Sequence, residues 1–378
     1  MILSPHLVIA GGGRLGNLFP GLAVAQRLGE LCPQLELTFV GSGDASERHD
    51  ALTACHNYLS VPAHALPRSP LESIRYLTDN TAGYWASRWL LGEKKASLLL
   101  GLGGPVSGVM ARAAHSRCVP FVLLEQNARV SRTARTLGRH AEAVCLAHSD
   151  AQSGLPVESP LVVTGVPTRD EFSQIHSGAL PATGNHEGGK QLLVLAGANG
   201  SRSDVLNRGV VAALARVRKN LDGWRIVHQA GRGQLQATEL AYQAAGLDAL
   251  VVSQLDEIAT AYAASDLTIC RAGASTLAEL QAVGLPAIVV PDATVVDDHQ
   301  AANAAACVSA GAAVMVAENG PEPVEVSLAR QLGQLLPNDV RRARMSQSAR
   351  AIARPDAASR VAELCAGLLG LVAERAAA

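Results

Sequence analysis

The chain has 378 residues, 48% of them apolar and 17% charged, with a formal net charge of −1. That length exceeds what one hydrophobic core serves, so two domains are expected, and the apolar fraction excludes disorder. The near-neutral balance removes any whole-chain electrostatic basis for binding nucleic acid. The seven cysteines (Cys32, Cys55, Cys118, Cys145, Cys270, Cys307, Cys365) are odd in number, scattered and never spaced C-x-x-C. They read as reduced thiols of a cytosol rather than as a disulfide or metal framework. Residues 1–10 carry no basic leader or cleavage site, which predicts a chain that is not exported. No run reaches the roughly 18 apolar residues a spanning helix needs, so any membrane contact is expected to be peripheral.

Short apolar runs ending in glycine alternate with helix-like stretches. His6 to Gly11 reads as a strand, followed by a loop and a helix over Gly21 to Leu31. Further strands are expected at Leu35 to Val40, Ser97 to Leu102, Pro120 to Glu125 and Ala143 to Ala147. A second series follows at Gln191 to Gly197, Arg225 to Gly231, Ala249 to Leu255, Leu267 to Arg271, Pro286 to Pro291 and Ala313 to Ala317. These runs are continuously apolar rather than alternating, the signature of parallel strands covered on both faces, so the prediction is α/β with two doubly wound, Rossmann-like domains. Ser173 to Lys190 lacks periodicity and reads as surface loop, with the domain boundary near Gly165. Residues 357–375 read as a last amphipathic helix.

Two glycine-rich turns carry candidate chemistry. Gly11-Gly-Gly-Arg14-Leu15-Gly16-Asn17 lies between a strand and a helix, where backbone amides can approach a diphosphate. It lacks G-x-G-x-x-G spacing, and no acidic residue clearly ends the second strand, which disfavours a dinucleotide enzyme; a tight turn without ligand is the bland alternative. Cys270-Arg-Ala-Gly-Ala274-Ser275-Thr276-Leu277-Ala278-Glu279 runs from a strand through a small-residue turn into a helix. Amides and hydroxyls there suit phosphates, and the Glu279 carboxylate suits a ribose diol. Simple helix capping by Ser275 or Thr276 is the competing reading.

The segment Gln254 to Pro286, followed by Asp298-His-Gln-Ala-Ala-Asn-Ala304, resembles the nucleotide- and sugar-binding motifs of the MurG family of N-acetylglucosaminyltransferases. Gly101-Leu-Gly-Gly-Pro-Val-Ser-Gly108, Glu125-Gln-Asn127, Gly165-Val-Pro-Thr-Arg169 and Gly197-Ala-Asn-Gly-Ser-Arg202 match further family motifs in order. The resemblance covers nearly the whole chain. It implies a GT-B fold, two Rossmann-like domains facing across an interdomain cleft. Residues 1–165 would face acceptor and membrane, residues 166–356 would bind UDP-GlcNAc, and the tail from residue 357 would return to the first domain. It further implies inverting transfer of GlcNAc from UDP-GlcNAc to lipid I, an undecaprenyl-diphospho-N-acetylmuramoyl-pentapeptide, giving lipid II for peptidoglycan synthesis. No cofactor or metal is implied.

Carried across, the resemblance places Leu255 at the uracil, Ala274 to Glu279 on the phosphates and ribose, and Arg169 on the diphosphate. Gln300 and Asn127 would meet hydroxyls of the GlcNAc ring, Ala198 would be among the substrate-binding residues, and Asn303 would support a turn. The chain departs from the family at Arg14, Leu15, Gly16 and Asn17, where threonine, glycine, glycine and histidine are usual. It departs again at Pro105 for tyrosine, Leu124 for histidine, Val166 for asparagine and Ala198 for serine. Asn17 cannot take a proton near neutral pH, so Glu125 and His299 become the candidate bases. Most departures fall on the acceptor side. Two rivals follow: a relative with another acceptor or a UDP-GlcNAc 2-epimerase, and a catalytically silent UDP-sugar-binding scaffold.

Between Pro67 and Lys95, Arg68, Arg75, Arg88, Lys94 and Lys95 interleave with Tyr76, Tyr84, Trp85, Trp89, Leu90 and Leu91. Basic residues favour anionic headgroups and tryptophan favours an interface, which fits a shallow docking helix, and the resemblance implies a peripheral seat at the cytoplasmic face of the inner membrane. The alternative is a helix that packs its aromatics inward.

Overall fold

A computed structural model describes residues 4–12, 15–54, 57–67, 69–180, 189–197, 200–294 and 298–371. The chain forms two compact units, residues 1–169 with 354–378, and residues 170–353.

The first unit holds β1 (His6–Ala10), α1 (Leu15–Leu31), β2 (Glu36–Gly41), α2 (Ala45–Ala54), β3 (Tyr58–Ser60) and α3 (Pro70–Glu93). These are followed by β4 (Leu98–Gly101), α4 (Gly104–Ser116), β5 (Phe121–Glu125), α5 (Arg132–Leu137), β6 (Ala143–Leu146) and β7 (Leu161–Val163). The strands form one sheet in the order β3-β2-β1-β4-β5-β6-β7, with every recorded pairing parallel. Strand periodicity explains the layers: Leu7 and Ile9 of β1 enter the core beneath α1, while Val8 and Ala10 enter the core beneath α3 and α4.

The second unit comprises α6 (Asp170–Ser177), β8 (Lys190–Leu195), α7 (Gly200–Arg216), β9 (Trp224–Gln229), α8 (Leu235–Ala245), β10 (Leu250–Val252) and α9 (Ile258–Ala263). It continues through β11 (Leu267–Cys270), α10 (Ala274–Val283), β12 (Ala287–Val289), α11 (His299–Ser309), β13 (Ala313–Met315), α12 (Val324–Leu335) and α13 (Asp339–Ile352). Its parallel sheet runs β10-β9-β8-β11-β12-β13. Leu192 and Val194 face one core, Leu193 and Leu195 the other. The last helix, α14 (Ala357–Leu368), belongs to the first unit, where Val361, Ala362, Cys365 and Ala366 share a core with Leu18, Val24 and Leu28 of α1.

Several local expectations are corrected. α1 starts at Leu15 rather than Gly21 and contains Pro20, because helical winding from Leu15 buries Leu18 completely. Residues 173–177 are helical, not loop, since Phe172 and Ile175 of α6 are buried and Phe172 packs on Tyr262 with ring centroids 5.4 Å apart. Strands β3 and β7 are not among the expected strands; both are three-residue sheet edges without a buried residue, too short for a periodic pattern. The last helix stops at Leu368, short of residue 375.

Candidate functional site

In each sheet the strand order reverses direction at one point, between β1 and β4 in the first unit and between β8 and β11 in the second. Loops leaving the carboxyl ends of such a strand pair diverge, opening a crevice where doubly wound proteins bind ligands. The two glycine-rich turns singled out from the sequence, after β1 and after β11, lie at these two points.

In the second unit β11 ends at Cys270, and α10 begins at Ala274 with Gly273 as its cap, making no side-chain capping bond. Capping by Ser275 or Thr276 is therefore corrected: both sit inside the first turn, because Leu277 N–H closes the first helical bond onto Gly273 at 3.0 Å. The first turn, Ala274 to Thr276, thus forms the positive end of the helix dipole. Leu277 and Glu279 are buried and Ala278 is half-buried. Glu279 Oε2 accepts a hydrogen bond from Tyr262 Oη at 3.3 Å. The Leu255 N–H donates to Gln229 Oε1 at 3.0 Å, tying the segment after β10 to the end of β9, and its side chain lies against the core that contains Leu277.

Gln300 and His299 open α11, both half-buried, after Asp298 in a left-handed conformation (φ 47°). Gln300 Oε1 accepts from the Asp292 N–H at 2.8 Å, which turns its Nε2 donor end away from that loop. Asn303 is buried and its Nδ2 donates to Ala272 O at 3.2 Å, supporting the α10 turn. Ala198 lies outside the described residues.

In the first unit, Leu15, Gly16 and Asn17 form the opening turn of α1, so their amides occupy a helix N-terminus; Arg14 and the side chains of residues 15–17 lie outside the described part. Gly103 and Gly104, with φ of 91° and 80°, carry the chain from β4 into α4, a path that L side chains rarely follow. Pro105 occupies the first turn of α4, where its missing N–H has no helical acceptor to lose. Leu124 is buried in the core beside Leu98 and Val122, so an apolar residue suits its place.

The Glu125-Gln126-Asn127 motif is a bracket at the end of β5. Glu125 is 4% exposed; its Oε2 accepts from Ser131 N–H at 2.7 Å and its Oε1 from Asn127 N–H at 3.4 Å. Burial pushes its pKa above the usual carboxylate range, against those hydrogen bonds. Gln126 Nε2 donates to Leu102 O at 2.8 Å, joining this bracket to the β4 loop, while Asn127 is half-buried. The Arg169 guanidinium stacks 4.7 Å from the centre of the Phe19 ring, half-buried at the end of the unit.

Sequence reasoning did not mark Tyr262, Gln229, Asp292 or Glu318, each of which holds a motif residue or loop from another element. Among the described residues no three His, Cys, Asp or Glu side chains cluster as metal ligands.

The outer face of α3 exposes Ile74 (61%), Leu77 (65%), Trp85 (62%) and Trp89 (68%). The tryptophans thus do not pack inward. Arg88 lies 5.9 Å from the Tyr84 ring centre and 5.8 Å from that of Trp85. Among the described residues no helix is long and apolar enough to cross a membrane.

The glycosyltransferase family 28 N-terminal domain matches residues 7–146, and the glycosyltransferase family 28 C-terminal domain matches residues 191–361. The chain is 36% identical over 373 residues to the UDP-N-acetylglucosamine–N-acetylmuramyl-(pentapeptide) pyrophosphoryl-undecaprenol N-acetylglucosamine transferase of Alkalilimnicola ehrlichii, covering 96% of this chain and 98% of that protein. The crystal structure of Acinetobacter baumannii MurG superposes with a TM-score of 0.72 at 26% identity, over 95% of this chain and 99% of the other. UDP-GlcNAc 2-epimerase from Neisseria meningitidis, solved with UDP-GlcNAc, shares the fold at a TM-score of 0.66 and 13% identity, over 97% and 100% of the two chains. The chain belongs to glycosyltransferase family 28 and, within it, to the MurG family of N-acetylglucosamine transferases, with two Rossmann-like domains of the GT-B class.

Proposed function

We propose that the chain transfers GlcNAc from UDP-GlcNAc to lipid I, forming lipid II for peptidoglycan synthesis. The observation that carries the donor half is the α10 turn: a helix N-terminus opening at the Gly273 cap directly after β11, and the buried carboxylate of Glu279 one turn inside. The amides would hold the diphosphate and Glu279 the ribose hydroxyls. Leu255 would border the uracil, and Gln300 and Asn127 would meet sugar hydroxyls. As an acceptor hydroxyl bonds to the anomeric carbon with inversion, the bond from that carbon to the diphosphate oxygen breaks, and the hydroxyl proton passes to a base. Helix amides and the Arg169 guanidinium would neutralise the charge growing on UDP. The exposed Ile74, Leu77, Trp85 and Trp89 favour a peripheral seat on an anionic membrane surface, where a lipid-linked acceptor is presented.

The test is incorporation of labelled GlcNAc from UDP-GlcNAc into a lipid I analogue, with UDP release and donor binding followed in the same samples. Label in the lipid with stoichiometric UDP is expected. Donor binding without transfer would overturn the acceptor assignment and leave a silent binding protein or another acceptor, while release of ManNAc or its UDP form would identify an epimerase.

A further inference from the structure

Arg271 and Glu318 form an ion pair with Nη2 and Oε1 2.7 Å apart and side chains only 12% and 8% exposed. The pair binds together the loops leaving β11, β12 and β13, three adjacent strands of the second sheet. Arg271 follows β11 and stands two residues before the Gly273 cap of α10. Its Nη1 donates to Val290 O at 3.3 Å and lies 3.5 Å from Pro291 O, just past β12. Glu318, past β13, accepts through Oε2 from the Ala293 N–H at 3.0 Å. The preceding residue, Asp292, donates its N–H to Gln300 and accepts through Oδ1 from Thr294 N–H at 2.9 Å and Thr294 Oγ1 at 2.6 Å. The carboxylate thus bridges arginine on one loop to the backbone that orients Gln300 on the next.

We propose that the Arg271–Glu318 pair is a positioning clamp that holds Gln300 in register with the α10 turn and so sets discrimination among donor sugars. The inference rests on the donor reading above. A buried ion pair gives little net stability over apolar replacements, because desolvation offsets the attraction. A planar guanidinium, however, can span one carboxylate and two carbonyls at fixed angles, which a flexible ammonium cannot. Errors of about 1 Å in such a support cost on the order of 100-fold in rate without touching the reacting atoms.

The experiment compares the full chain with Arg271→Lys, Glu318→Gln and Glu318→Ala. It measures kcat and KM with UDP-GlcNAc and with UDP-GalNAc, UDP affinity, and Tm. Arg271→Lys and Glu318→Gln are expected to keep Tm and UDP affinity near wild type while the ratio of kcat/KM between the two donors falls about tenfold, some 1.4 kcal/mol. Glu318→Gln, which retains an oxygen for the Ala293 amide, should keep more discrimination than Glu318→Ala. Folded Lys and Gln variants with the wild-type ratio overturn the clamp, as does a loss of Tm and UDP affinity with the ratio unchanged. Should Glu318→Ala not fold, the two conservative variants still decide. A wild type without UDP-GlcNAc turnover sinks the donor reading and the clamp together, whereas an active wild type with unaltered variants sinks the clamp alone.

Discussion

Tyr262 Oη donates to Glu279 Oε2 across 3.3 Å, joining α9 to the first turns of α10 in a buried contact. The bond fixes the carboxylate that the donor reading places on the ribose. Hydrogen bonds to a charged group contribute about 1.5–3 kcal/mol, so Glu279→Ala should weaken UDP binding about 10- to 100-fold. Tyr262→Phe should have a smaller effect, because Glu279 remains. Calorimetric titration with UDP, beside a circular dichroism spectrum of each variant, checks both; wild-type affinity in folded Glu279→Ala would remove the ribose assignment.

Glu125 tests whether a buried carboxyl holds a loop or takes a proton. Its oxygens accept from the backbone amides of Asn127 and Ser131, and it is 4% exposed, which favours holding the loop that carries Asn127. Glu125→Gln should then lower kcat only about 3- to 10-fold and leave the pH–rate profile unaltered, whereas loss of a general base costs about 100- to 10,000-fold. Disappearance of the acidic limb in Glu125→Gln would instead make it the base, and the same measurement on His299→Gln tests the other candidate.

His228 makes stability depend on pH. Its ring sits wholly buried between Tyr242 Oη at 2.9 Å from Nδ1 and Asn207 Oδ1 at 3.0 Å from Nε2, with Asn207 Nδ2 donating to Ala230 O. Asn207 therefore presents an acceptor, so Nε2 carries the proton and Nδ1 accepts from tyrosine. Burial drops its pKa from the ordinary 6.5 to about 3. As pH falls through that window the unfolded chain gains a proton that the folded chain refuses. The stability present above pH 6.5 is thus lost progressively toward pH 3, at up to about 1.4 kcal/mol per pH unit. His6 and His148, also lowered chiefly by burial, act in the same direction. Denaturant melts of His228→Gln across this range should show a shallower slope by about one proton.

Trp85 and Trp89 protrude from α3 without being part of a core. Trp85→Ser and Trp89→Ser should leave Tm unchanged and weaken binding to anionic vesicles by about tenfold each, with further weakening in high salt. Vesicle flotation reads this directly, and undiminished binding by the double variant would place the membrane contact elsewhere.

Gly83 sits within α3, where a Cβ would stand 2.0 Å from Pro62 O. Helix propensity alone makes Gly→Ala stabilising by about 1 kcal/mol, but the backbone clash should reverse the sign and cost about 1–3 kcal/mol. A raised Tm in Gly83→Ala would show that the loop at Pro62 yields.

The sequence by itself determined both sheets' central strands, because Leu7 to Ala10 and Leu192 to Leu195 must be apolar on both faces to lie between helix layers. It also located the glycine turns, since the backbone's approach to a helix N-terminus is a local matter of small residues. It did not reveal β3, β7 or the helical start of residues 173–177, whose stability comes from an edge pairing or from partners such as Tyr262, far along the chain. Only the tertiary structure decided what supports the motif residues. Tyr262 on Glu279, Gln229 on Leu255, Asp292 on Gln300 and Glu318 on Arg271 are pairings across elements. Residue identity records which groups can hydrogen-bond, but which of them meet is set by how the sheet brings the ends of its strands together.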